Sequence, residues 1–271
     1  MRLFVDVFTA IATFTTFLYF RRRRTWLIAL LITMPVFVSF LATFNPSESS
    51  EYPQEVFDAT AQFLYLLTIT PLMALVFGCS LLSEEIEGRT LPLLLARAAP
   101  RSAIVLGKYA AFVFVTYIMI LVSFTLTFSS FAHFLALSVS NYLPLFLRFS
   151  LLIGIALIAY GALCVAISTL TKHPVVVSAL FIFGWEKLVA ALPGYADFLT
   201  LQKYIIRLLP EVAFNRVEVE KVELPPELMR AVYPVSETFS IAALAVTTIV
   251  LLLLACVVVR SREFVSASTA G

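Results

Sequence analysis

Apolar runs with few polar interruptions divide the chain. Five reach the length of a membrane-spanning helix, roughly 20 residues: 26–44, 61–82, 109–131, 149–170 and 239–259. One more, 175–192, the fifth of six in chain order, is interrupted by Glu186 and Lys187. None alternates in hydropathy as the short strands of a membrane barrel do. A segment in lipid must satisfy its own backbone hydrogen bonds, so these runs predict helices. The pattern reads as an all-α membrane protein with six transmembrane helices. If 175–185 only dips into the bilayer, five crossings remain and the final tail changes side.

Lys and Arg in short connections set the orientation. Arg21, Arg22, Arg23 and Arg24 precede the first run, whereas 45–58 has no basic residue and carries Glu48, Glu51, Glu55 and Asp58. Arg89, Arg97, Arg101 and Lys108 follow the second run, and 132–147 again has none. Lys172 follows the fourth run, and Arg260 and Arg262 follow the sixth. This alternation predicts six crossings of the cytoplasmic membrane with both termini in the cytoplasm. One domain then covers 1–271. Its parts are an interfacial helix and basic cluster at 1–24, spans one to five at 25–193, and an external segment at 194–237. The sixth span at 238–259 and a cytoplasmic tail at 260–271 complete it.

The amino-terminal run 3–20 is unlike a secretory signal, because Asp6 lies inside it and the arginines come after it. It reads as an amphipathic helix on the cytoplasmic membrane surface, with Arg21–Arg24 at anionic lipid headgroups. A topogenic anchor for the first span is the plainer reading, and the two are compatible.

Composition agrees with lipid as part of the solvent. The 271 residues are 61% apolar and 13% charged, against about 45–50% and 25% in a soluble domain. A net charge of +2 implies no nucleic-acid partner. Cys79, Cys164 and Cys256 are odd in number and far apart in sequence, which suggests neither a disulfide framework nor a metal site.

The connection after the second run carries the strongest chemical signal. Residues 83–108 read S-E-E-I-E-G-R-T-L-P-L-L-L-A-R-A-A-P-R-S-A-I-V-L-G-K. Glu84, Glu85 and Glu87 come first, and Gly88 permits a sharp turn. Thr90 can cap a new helix with Pro92 in its first turn. Leu91, Leu93, Leu94 and Leu95 form an apolar body, and Pro100 ends it. Positive-inside statistics account for Arg97, Arg101 and Lys108, but not for the acids, which anionic headgroups repel. A short helix of this kind can dock a soluble partner.

This stretch resembles the membrane subunit of ABC transporters of the type-2 permease (ABC-2) family, the exporter class. The family pattern is E-E-x-x-G-T-L-x-x-L-L-x-x-P-x-x-R-x-x-x-x-x-G-K. Its counterparts here are Glu84, Glu85, Gly88, Thr90, Leu91, Leu94, Leu95, Arg101, Gly107 and Lys108. Arg89 is inserted, and Ala98 stands where a proline is usual, with Pro100 before Arg101. The resemblance implies a coupling helix that docks on a separate ATP-hydrolysing subunit. It also implies a second permease subunit, identical or paralogous. ATP and magnesium would bind the ATPase, and this chain, which has no G-x-x-x-x-G-K-[ST] loop, would bind no cofactor. Glu84, Glu85, Glu87 and Arg101 would supply charge pairing, and Leu91, Leu94 and Leu95 apolar contact.

Ionisable residues at membrane depth cost at least about 2.5–3.5 kcal/mol on insertion scales. Glu186 and Lys187 are therefore candidates for a pathway lining or an external gate, or else they lie in the wet outer half of a broken helix. Beyond them, 195–209 has Phe198, Leu201, Ile205 and Leu208 at helical spacing, with Lys203 and Arg207 able to take the other face. An intramembrane enzyme fits poorly: His133 and His173 are the only histidines, and no H-E-x-x-H or G-x-S-x-G occurs. A membrane scaffold or assembly factor without transport activity remains the alternative, and it would not need an ATPase-docking helix.

Overall fold

The structure, a computed structural model, describes residues 2–21, 23–42, 53–81, 100–134, 139–190, 198–209 and 236–261. Among them every regular element is helical and there is no strand. We number the helices α1 (Arg2–Arg21), α2 (Arg23–Ile32), α3 (Met34–Ala42), α4 (residues 53–81) and α5 (Arg101–Phe134). They continue as α6 (Val139–Leu170), α7 (residues 174–190), α8 (Leu201–Arg207) and α9 (Glu237–Ser261).

Among the described residues four segments are long and apolar enough to cross a membrane: Val56–Leu81, Ser102–His133, Tyr142–Leu170 and Glu237–Ser261. They correspond to the second, third, fourth and sixth predicted runs. The first and fifth runs are broken. After Ile32 the Thr33 amide turns toward the carbonyls of Ala29 and Leu30, each at 3.2 Å, before α3 resumes at Met34. Pro35 has no amide hydrogen to continue the ladder. The fifth run consists of Pro174–Ala179, a π-helical stretch Leu180–Trp185, and Glu186–Ala190.

Helix α4 is also irregular. It is π-helical over Thr60–Ile69 and again over Ala74–Gly78, with Thr70–Met73 between. The Thr70 amide bonds the Tyr65 carbonyl five residues back, and the Thr70 hydroxyl bonds the same oxygen at 2.8 Å. Pro71 then supplies no amide at the junction.

The bundle is organised around α6. It packs against α4, α5, α7, α8 and α9, and it is the most enclosed of the long helices, whereas α9 is the least. Apolar attraction between helices is weak in lipid, so close approach matters more. The glycines of α6 provide it. A side chain on Gly161 would meet the buried Phe112 ring of α5 at 2.5 Å, and one on Gly154 would meet Tyr117 at 3.2 Å. On α4, a side chain on Gly78 would lie 2.9 Å from the Cys164 Cβ. The small-residue face of the fourth run is thus used within the chain.

At the opposite end, Phe57 of α4 packs among Phe124, Phe128 and Phe131 of α5, with ring centroids 5.6–5.9 Å away. Phe146 of α6 stacks on Phe124 at 5.0 Å. A buried hydroxyl cluster joins α4 and α5. Tyr65 Oη lies 2.7 Å from both Ser123 Oγ and Thr127 Oγ1, and Ser123 donates to the Ile32 carbonyl at 2.6 Å. Other hydroxyls on this face of the sequence behave differently: Thr125 and Ser130 bond back to the carbonyls of Leu121 and Leu126.

Candidate functional site

Glu84, Glu85, Glu87, Gly88, Thr90, Leu91, Leu94 and Leu95 lie outside the described residues, but both flanks of their segment are placed. On one side α4 runs to Leu81, which is buried. On the other, the Pro100 carbonyl accepts the amides of Ala103 (2.9 Å) and Ile104 (3.4 Å). Pro100 thus opens α5, and Arg101 is the first residue of that helix.

Gly107 and Lys108 come within the second turn of α5. Helix α1 packs along α5, and a Cβ on Gly107 would lie 3.0 Å from the Phe8 carbonyl and 3.3 Å from Ile11 Cγ2. Backbone thus meets backbone where only glycine leaves room. Lys108, next in sequence, is buried. The far end of α1 reaches α4, where Tyr19 meets Phe77 edge to face at 5.5 Å. The two flanks of the acidic-leucine segment are therefore bridged by α1.

Glu186 occupies a second site. It follows the π stretch of α7 and is only 1% exposed. Its Oε2 accepts the Tyr160 hydroxyl of α6 at 2.7 Å, and its Oε1 accepts the Leu201 amide at 3.1 Å. Leu201 is the first residue of α8. The carboxylate is thus enclosed and hydrogen-bonded. Lys187 follows in Glu186–Ala190. In α8, Leu201 and Ile205 are buried and Arg207 is exposed; Leu208, just past the helix, is buried too, and the Lys203 ammonium stands 3.8 Å from the Phe198 ring centroid.

Chain separation hid one cluster. Cys79 of α4 lies 3.1 Å from Ser178 Oγ and 3.6 Å from the Pro174 carbonyl of α7. Residues so far apart in sequence carry no local pattern that announces their meeting. Among the described residues no group of three or more His, Cys, Asp or Glu is placed to hold a metal ion.

An enclosed helix bundle with short broken helices beside four long apolar ones defines a multi-pass membrane protein. The chain belongs to the ABC-2 transporter family, since the family model described as "ABC-2 family transporter protein" matches residues 18–263. No curated protein matches the sequence. The family is a membrane transport component and is not itself catalytic.

Proposed function

We propose that this chain is the permease subunit of an ATP-driven exporter, coupled to ATP hydrolysis on a separate nucleotide-binding subunit. The observation that carries this reading is the family match over 18–263, joined to an acidic-leucine segment in a sequence that has no phosphate loop. In this reading 83–108 faces the cytoplasm and contains the coupling helix. Glu84, Glu85, Glu87 and Arg101 pair with charges on the ATPase, while Leu91, Leu94 and Leu95 fill an apolar groove. Gly88 and Thr90 shape the helix start. ATP and magnesium bind the partner.

The broken helices α2–α3 and α7 complete six crossings, with both termini in the cytoplasm. Two permease subunits assemble with two ATPase subunits, and Glu186 and Lys187 lie near the external gate. Packing of α1 against Gly107 supports a mechanical role for the amino-terminal helix, because it lies beside the same cytoplasmic end of α5.

Charge reversal tests the assignment. Glu84→Lys with Glu87→Lys is expected to abolish co-purification of the ATPase and ATP-driven transport, with the permease still folded. Intact ATPase binding and transport in that variant overturn the coupling assignment.

A further inference from the structure

Three elements converge on one carboxylate. Tyr160 presents its hydroxyl from α6, Glu186 ends the irregular part of α7, and Leu201 begins α8. The first amides of any helix lack intrahelical acceptors. A threonine at the cap position commonly supplies one. Thr200 occupies that position with extended backbone, φ −103° and ψ 138°, yet its side chain makes no capping bond. Glu186, fifteen residues earlier in the chain, caps α8 instead. An acidic cap also complements the positive end of the helix dipole.

We infer that Glu186 is a positioning residue that latches α8 to the α6–α7 pair, so that movement of α7 carries α8 with it. The functional meaning of the latch, as part of an external gate, rests on the transport reading above. The π stretch Leu180–Trp185 supplies the means of release. At its near side Ser178 is held by Cys79 at 3.1 Å. Rewinding the stretch to α geometry shifts the register by one residue, which rotates the following turn by about 100°. That rotation takes the carboxylate off both donors together.

Hydrogen exchange on the purified full chain in nanodiscs tests the latch without any ATPase. Glu186→Gln keeps an oxygen for the Leu201 amide and an N–H for the Tyr160 oxygen, so exchange over 198–209 should stay within about threefold of the unaltered protein. Glu186→Ala should accelerate exchange there by about tenfold, the scale of one lost buried hydrogen bond. Equal protection in Glu186→Ala, or equal acceleration in Glu186→Gln, overturns the latch. Should Glu186→Ala not fold, Tyr160→Phe removes one donor alone. It must then give an intermediate acceleration, and no change refutes the inference.

The assembled transporter supplies the second readout. Glu186→Ala should keep ATP hydrolysis and lose transport, while Glu186→Gln transports normally. Normal transport in Glu186→Ala overturns the gating role. Absence of ATP-driven transport in the unaltered protein counts against the exporter reading instead, and the exchange result stands apart from it.

Discussion

Replacing Ser123 by alanine removes the middle of a directed hydrogen-bond chain. A serine hydroxyl has one proton, and that of Ser123 goes to the Ile32 carbonyl at 2.6 Å. Tyr65 must then donate to Ser123 and accept from Thr127, both at 2.7 Å. The order is Thr127, Tyr65, Ser123, Ile32, ending at the break between α2 and α3. Interhelical hydrogen bonds in membranes average about 0.6 kcal/mol and reach about 1.7. Thr127→Val deletes only the first bond and should cost about 0.6 kcal/mol. Ser123→Ala deletes two bonds, Tyr65 to Ser123 and Ser123 to Ile32, and the freed Tyr65 proton turns to Thr127 Oγ1 at 2.7 Å. At about 0.6 kcal/mol for each lost bond we expect about 1.2 kcal/mol in all, roughly twice the cost of Thr127→Val. Because the Tyr65 proton then depends on Thr127 as its acceptor, Thr127→Val should cost more when Ser123 is already alanine, about 1–3 kcal/mol for the orphaned hydroxyl. Reversible unfolding in mixed micelles, followed by helicity, measures all three variants. A cost for Thr127→Val equal to or above that of Ser123→Ala refutes the ordering. So does a Ser123→Ala variant within about 0.5 kcal/mol of the unaltered protein.

Packing sets the expected cost of substitution at three glycines. Gly161→Ala should destabilise by about 1–2 kcal/mol in the same assay, since overpacking against the fully buried Phe112 costs about 1–3 kcal/mol and the gain in helix propensity returns less than about 1. Gly154→Ala meets only the half-buried Tyr117 ring and should be within about 0.5 kcal/mol of neutral. Gly107→Leu should force α1 off α5, read as increased hydrogen exchange over residues 2–21 with α6 unaffected; unchanged protection there refutes the backbone contact at Phe8.

The four long helices were legible because an unbroken apolar run in lipid admits little besides a helix. Their ends were less so: α5 starts at Arg101 and not at residue 109, because a helix can continue beyond the hydrocarbon while hydropathy marks only the apolar part. The breaks at Thr33 and at Leu180–Trp185 depend on hydrogen-bond geometry that leaves a weak trace in residue order, Pro35 being the one local sign. Glu186 stood out as a charge within an apolar run, yet its donors did not. Tyr160 counts among apolar residues in any hydropathy profile, and the Leu201 donor is a backbone amide. The same holds for Tyr65, whose hydroxyl joins two serine and threonine positions that the sequence did mark as polar. Gly107 belonged to the quoted motif, but its reason is a tertiary one, the Phe8 carbonyl of another helix.

The two helices that leave the acidic-leucine segment differ in stiffness. Helix α5 has 34 residues with no proline, a rod about 51 Å long, which outruns the ~30 Å hydrocarbon layer by several turns. Helix α4 has two π stretches and Pro71. A force applied at their shared segment would tilt the rod as one body while the other side absorbs displacement by local rewinding. One pull could therefore deliver two unlike strokes across the bundle.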